Sequence, residues 1–293
     1  MEDILTALAS RLKQKDNSAN KGTNGTLTVA AGSELYRGAA ALASSAALRC
    51  GVGIVRLVSV EKVISSAAAR LPECVFLPTE SENGAMSYRD FARKMPAFSK
   101  SRAVLAGCGM TDCTDTGNII AELIKYGGYQ LIIDADGLNS IKDRPEILKN
   151  AALPPIITPH IGEMARLTGA STDAIKSDRE KTAAEFSRKY NCITVLKDCK
   201  TVISSPEGKL FVCDRPNAGL AKGGSGDVLS GIISSFAAQG YDAFDAAVCG
   251  AALHSLAAES AREKLTEYSM LPSDIVAEIP GVFARIGKTR NYR

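Results

Sequence analysis

The chain predicts an α/β protein, a mainly parallel β-sheet covered by helices, and three observations carry that reading. Short runs rich in β-branched residues alternate with longer runs whose apolar residues recur at helical spacing. Polar and glycine-containing clusters stand directly after the strand-like runs, where open parallel sheets collect their ligands. No Pro/Ser-rich linker, repeat or low-complexity block interrupts the 293 residues. Residues 1–293 therefore read as one domain, with 1–20 and 288–293 as flexible ends.

The elements follow in order. Leu27–Ala31 is an apolar, β-branched run and reads as the first strand, with Gly32 and Ser33 after it. Ala39–Cys50 carries small and apolar residues at helical spacing, and Ile54–Val58 is the next strand. Ala103–Ala106 is a short buried-type strand ending in Gly107 and Gly109, and Gly117–Tyr126 is helical. Leu131–Asp134 and Ile156–Thr158 are strands, the first delivering Asp134 and Asp136, the second His160 and Glu163. Arg179–Tyr190 has the helical period, and Ile193–Leu196 is a strand that ends on Lys197. Thr201–Ile203 and Leu210–Cys213 flank the turn sequence Ser204-Ser205-Pro206-Glu207-Gly208 and read as a hairpin. The Ala-rich stretch Asp242–Glu263 predicts a long helix packed behind the glycine run that precedes it.

Bulk properties exclude several classes. A net charge of +3 and the absence of Trp give no basic, aromatic-studded surface for nucleic acid. The longest apolar region, Gly38–Val60, is broken by Arg49 and Arg56 and is not a membrane span. Eight cysteines without a Cys-x-x-Cys pair, together with a polar stretch from Met1 to Gly25, point to a reduced, cytoplasmic protein. Two histidines and no paired thiols argue against structural zinc. Cys108 and Cys113 read as small buried hydrophobes rather than metal ligands.

The densest chemical signal is Asn217–Gly231, where Lys222-Gly223-Gly224-Ser225-Gly226-Asp227 opens onto an apolar helical stretch, Ile232–Ala238. One side chain suffices to cap a helix. The surplus of glycine fits an anion hole, because bare backbone N–H groups close around a phosphate at a helix N-terminus. Asp227 beside that nest suits a base that deprotonates a hydroxyl attacking phosphorus. No Walker A sequence occurs, and Gly51-Val52-Gly53 precedes a strand instead of following one, so a nucleotide is held by another arrangement.

These residues resemble the ribokinase-like proteins, and within them the ADP/ATP-dependent NAD(P)H-hydrate dehydratases. Four further segments are similar to that branch: Lys21–Gly25, Gly32–Ala40 with Ala47–Gly51, Thr158–Glu163, and Val195–Thr201. The resemblance implies a three-layer sandwich around a central, mainly parallel sheet. It implies dehydration of hydrated NADH or NADPH (NADHX, NADPHX) with ADP or ATP as co-substrate, phosphate release, and Mg²⁺ as cofactor. Asp227 is then the base, and Gly223, Gly224, Ser225 and Gly226 the anion hole. Lys197, Asp198, Cys199, Lys200, Thr201 and Gly226 lie along the nucleotide. Ala39, Gly109, His160 and Asp227 contact the hydrated substrate, and Glu163 acts on Mg²⁺ through water. A homo-oligomer, with a tetramer among the expected sizes, completes the implied picture.

The residues by themselves leave alternatives open. His160 also suits a helix cap, Glu163 a first-turn carboxylate, Asp134 and Asp136 turn formers, and Lys197 a solvated strand end. A vitamin-precursor kinase of the same superfamily shares the base and the nest, and differs in releasing a stable phospho-ester.

Overall fold

The computed structural model describes residues 3–15 and 17–291. Among the described residues, the strands are β1 Thr26–Ala30, β2 Ile54–Val60, β3 Val75–Thr79, β4 Ser81–Glu82, β5 Ala85–Met86, β6 Ala103–Ala106, β7 Gln130–Ile133, β8 Ile156–Ile157, β9 Ile193–Leu196, β10 Thr201–Ser204 and β11 Leu210–Cys213. The helices are α1 Ile4–Arg11, α2 Arg37–Arg49, α3 Glu61–Ala68, α4 Tyr88–Lys94, α5 Thr114–Tyr126 and α6 Asp136–Asn139, then α7 Ile161–Thr168, α8 Thr172–Ser177, α9 Arg179–Tyr190, α10 Ser225–Ala238, α11 Ala243–Ser269 and α12 Pro272–Asn291.

Nine strands form one sheet in the order β11-β10-β9-β8-β7-β6-β1-β2-β3. Every pairing from β3 to β9 is parallel, and β10 and β11 add an antiparallel edge. The chain winds from β1 outward to β3, then returns to β6 and winds the other way. Right-handed crossovers therefore put α2 and α3 on one face and α5 and α9 on the other. The reversal falls between β1 and β6, where a doubly wound sheet opens a crevice beyond its strand ends.

Helix α10 lies against the sheet beside α2, with α11 on its other flank. It is buried continuously from Val228 to Ala238, as an apolar helix without a polar face must be. Two glycines permit this: a Cβ at Gly231 would stand 2.2 Å from the Ala43 carbonyl oxygen, and one at Gly250 2.3 Å from Ile233 Cγ1. Backbone-to-backbone contact leaves no room for a methyl group. Gly231→Val is accordingly expected to cost about 1–3 kcal/mol or more through overpacking, read as a lowered Tm in thermal unfolding. An unchanged Tm would mean that α2 and α10 separate freely.

Helix α12 extends through Asn291, so of the expected flexible tail 288–293, residues 288–291 continue a helix and 292–293 lie outside the described residues. The expected flexible start is corrected for residues 4–11. Asp3 caps α1, and Ile4, Ala7 and Leu8 are buried, with α1 packed on α11. Among the described residues, no helix is long and apolar enough to cross a membrane.

Candidate active site

Asp227 enters the structure on the first turn of α10, whose N-cap is Gly224. Gly224 has φ +102°, and a Cβ there would meet Leu42 Cδ1 at 2.6 Å, so only glycine makes this entry. The Ser225 amide donates to the Lys222 carbonyl at 3.2 Å, while the amides of Gly226 and Asp227 make no backbone hydrogen bond. Unpartnered first-turn amides are the donors that bind an anion at a helix N-terminus. Beneath them, Ser225 Oγ and His254 Nε2 are buried without hydrogen-bond partners. Burial pushes His254 down to about 4, so its ring is neutral.

The nest opens on a cavity of about 870 Å³. Gly223, Gly224, Ser225, Gly226, Asp227, His160, Glu163, Lys197, Asp198, Cys199 and Thr201 all line it. Lys200 does not: its Nζ donates to Asp214 Oδ2 at 2.5 Å, pointing toward the hairpin. Asp198 is held by Arg179, Nη2 to Oδ2 2.5 Å. Ala39 and Gly109 lie apart from the cavity at the switch point. A Cβ on Gly109 would come within 2.9 Å of Ala39 Cβ and 2.7 Å of Tyr36 Cβ.

Lys197 is no solvated strand end. Its Nζ donates to Asp134 Oδ1 at 2.7 Å, with Asp134 only 1% exposed. Ser230 Oγ donates to Asp134 Oδ2, also at 2.7 Å. Burial alone would push Asp134 upward, but the Lys197 ammonium and these donors hold it below the usual carboxylate range. For Lys197 burial lowers and Asp134 raises; the partner prevails and the amine stays charged. Gly226 abuts this pair, since a Cβ there would lie 3.3 Å from Lys197 Nζ. Asp136 accepts from the Thr111 amide at 2.8 Å and pins the turn after β6.

Burial pushes Asp227 up to about 6, with repulsion from Asp134 adding to it and Cys108 and Lys197 opposing it. Cys108 Sγ, Asp134 and Asp227 each place one atom within 4.8 Å of the others. Cys108 is thus the buried small residue expected, but wedged between two carboxylates. Cys113 is partly buried and bonds Thr116 Oγ1 at 3.4 Å.

His160 and Glu163 form a reciprocal cap on α7. His160 Nδ1 accepts from the amides of Gly162 (2.9 Å) and Glu163 (3.3 Å), and the His160 amide donates to Glu163 Oε2 at 2.8 Å. Because Nδ1 accepts, the neutral ring carries its proton on Nε2, 3.4 Å from Glu163 Oε1. Burial, then Lys197 and Arg166, keep His160 below its ordinary value. Glu163 is pushed up to about 7, mainly by burial.

A folded-state value above the unfolded one means stability is lost as pH rises from about 4 through about 7. Glu163→Gln keeps an acceptor for the cap and removes the buried charge. The variant is expected to raise Tm at pH 8 and to match the wild type near pH 4.5. An equal shift at both pH values would show that the charge is not the cause.

The signals for the less expected members were faint. Cys108, Ser230 and His254 stand in apolar runs where each reads as filler. Only the first had a positional clue, lying between the glycines after β6.

A family model described as NAD(P)H-hydrate dehydratase matches residues 27–281. The ADP-dependent (S)-NAD(P)H-hydrate dehydratase of Xanthomonas campestris is 30% identical over 97% of both chains. The bifunctional NAD(P)H-hydrate repair enzyme of Moorella thermoacetica is 32% identical over 97% of this chain and 54% of its own length. The chain thus spans about half the length of the curated bifunctional relatives it matches. The crystal structure of the ADP/ATP-dependent NAD(P)H-hydrate dehydratase of Bacillus subtilis, co-crystallised with ATP and Mg²⁺, superposes with a TM-score of 0.83 at 26% identity, covering 97% of each chain.

Proposed function

The chain belongs to the NAD(P)H-hydrate dehydratase family, and from that premise we propose that it uses ADP or ATP to dehydrate hydrated NADH or NADPH, releasing phosphate. The observation that carries the proposal is a half-buried Asp227 at the edge of a cavity, one residue from unpartnered helix-terminal amides. The hydrated ring bears a hydroxyl on the carbon beside its nitrogen, and hydroxide leaves poorly. Phosphorylation converts that group into phosphate, which departs as the nitrogen lone pair pushes; loss of the neighbouring C5 proton restores the dihydropyridine.

In this reading Asp227 takes the hydroxyl proton as attack on phosphorus begins. The amides of Gly223, Gly224 and Gly226 hold the transferring phosphoryl group, that of Ser225 joins them only on leaving the Lys222 carbonyl, and orphaned Ser225 Oγ adds a donor to the same nest. Lys197, fixed by Asp134, faces the nucleotide, whose length runs along Asp198, Cys199 and Thr201; Lys200 contributes only after leaving Asp214. His160 lines the cavity beside the substrate, its Nε2–H free for it only on leaving Glu163 Oε1, and Ala39 and Gly109 border the ring at the switch point.

The cavity wall carries the carboxylates Asp134, Glu163, Asp198 and Asp227 along with Lys176, Lys197, Lys222 and Arg215, and its carboxylate oxygens are the ligand type that a hard divalent cation takes. Mg²⁺ bound there with the nucleotide supplies charge neutralisation for the polyphosphate. Glu163 is the residue assigned to hold it through water.

All eight cysteines are free, which supports a reducing, cytoplasmic setting. Self-association into a homo-oligomer belongs to the same reading, supported by Tyr268 (95% exposed) and Leu271 (53% exposed) at the corner between α11 and α12; light scattering that returns a monomer mass would remove it.

The decisive assay incubates the protein with hydrated NADH or NADPH, Mg²⁺ and either nucleotide. Recovery of reduced-nicotinamide absorbance together with free phosphate is expected. Accumulation of a stable phospho-ester instead identifies a kinase, and no reaction with either nucleotide defeats the proposal.

A further inference from the structure

Lys222 opens the glycine run, yet its ammonium is bound to the corner between α11 and α12. Its Nζ donates to the carbonyls of Tyr268 at 2.8 Å and Met270 at 2.6 Å, which belong to the last turn and the C-cap of α11. Carbonyls at a helix C-terminus lack intrahelical partners and favour a cation, and α11 has no basic residue in its last turn. Lys222 supplies that charge from another part of the fold. The end of α11 needs the support, since Thr266 stands at φ +65° and ψ 165°, a region that suits glycine and strains a β-branched residue. The glycine loop is seated on the same corner: a Cβ on Gly219 would fall 2.2 Å from Met270 Sδ, and one on Gly224 3.2 Å from Pro272 Cγ. At the other end, the Lys222 carbonyl accepts from the amide of Ser225, the first residue of α10, at 3.2 Å. One residue thereby joins the C-terminus of α11 to the N-terminus of α10.

We propose that Lys222 is a positioning residue: its ammonium ties the glycine loop to the α11–α12 corner and so aims the amides of Gly223, Gly224 and Gly226 at the transferring phosphoryl group, which the lysine itself does not touch. The inference rests on the reading of that nest as the phosphoryl site. A lysine at the head of a glycine run invites assignment as a phosphate ligand, but two short bonds to carbonyls and the seating of Gly219 and Gly224 on Met270 and Pro272 give it a different task. Nest donors stabilise transfer only where they point at the charge that develops. Their displacement lowers turnover, while a nucleotide held along Asp198, Cys199 and Thr201 keeps most of its affinity.

The test compares wild type, Lys222→Met and Lys222→Arg, each shown by thermal unfolding to be folded at the assay temperature. Met keeps the apolar stem and removes the donors, whereas Arg keeps a cation able to reach two carbonyls. Lys222→Met is expected to lower kcat in the dehydration assay about tenfold to a hundredfold, with the Kd of ADP and ATP within about threefold of the wild type. Lys222→Arg should recover most of kcat. Hydrogen exchange reads the tie with no substrate present: the amides of Ser225 and Met270, bonded at 3.2 Å to the carbonyls of Lys222 and Thr266, should exchange about tenfold faster in Lys222→Met. Unchanged kcat, unchanged exchange or an Arg variant as slow as Met overturns the positioning role. A Kd that rises as steeply as kcat falls overturns it too, by making Lys222 a phosphate ligand. A wild type that dehydrates nothing while the exchange response holds removes the phosphoryl reading of the nest and leaves the tie, which keeps the two failures distinct.

Discussion

Asp227→Asn is expected to lower turnover by ~10²–10⁴ while nucleotide binding survives. The substitution is nearly isosteric and removes only the ability to accept a proton. The first-turn amides of α10 belong to the backbone and remain where they are. Loss of a charge that Asp134 repels should leave the fold undamaged or slightly steadier. Calorimetric titration with ADP or ATP and a turnover assay, run on the same preparation, separate the two effects. The acid limb of the pH profile should vanish with the carboxylate. A variant that turns over within tenfold of the wild type would take the base role away from Asp227, and one that no longer binds nucleotide would make it a structural part of the nest.

The second large effect concerns Lys197 and Asp134. Lys197→Met strands a carboxylate with 1% exposure, and breaking a buried pair by removing one partner typically costs about 3–5 kcal/mol. The double variant Asp134→Asn/Lys197→Met removes both charges and should recover much of that stability without recovering activity. Linkage gives the pH signature. Asp134, held low in the fold, contributes above its unfolded value of about 4 and loses this as pH falls through its folded value; Lys197, held high, contributes below about 10.4 and loses this as pH rises through its own. The cost of Lys197→Met is therefore expected to be present between these limits and to shrink toward acid pH, where Asp134 takes up a proton. Denaturant midpoints at pH 4 and pH 7 check it. Equal losses at both would mean that packing of the lysine stem, not its charge, is what matters.

The parallel strands were legible because each is a short apolar run bounded by polar or glycine residues, and β9, β10 and β11 fell close to their expected bounds. β3 was not: Val75-Phe76-Leu77-Pro78-Thr79 contains a proline and is half exposed at the sheet edge, so neither period nor burial marks it. Helix α1 was hidden by the polar stretch around it, although Asp3 followed by Ile4, Ala7 and Leu8 is a capped apolar face in miniature. In the site, glycines and strand-end charges are visible because few other roles demand them there. Which charge meets which depends on crossovers between distant strands. The Asp134–Lys197 pair, with its partners Ser230 and Cys108, joins segments that only the sheet order brings together.

Helix α10 joins the phosphate nest to the centre of the protein, for its tip carries Asp227 while its shaft is gripped by α2, α11 and the sheet. A shaft held along its length hands any internal slackness to its free end. Trimming Phe236 or Ile233, remote in sequence from the nest, would therefore register first as lost aim at the reacting atoms, in a protein that still folds.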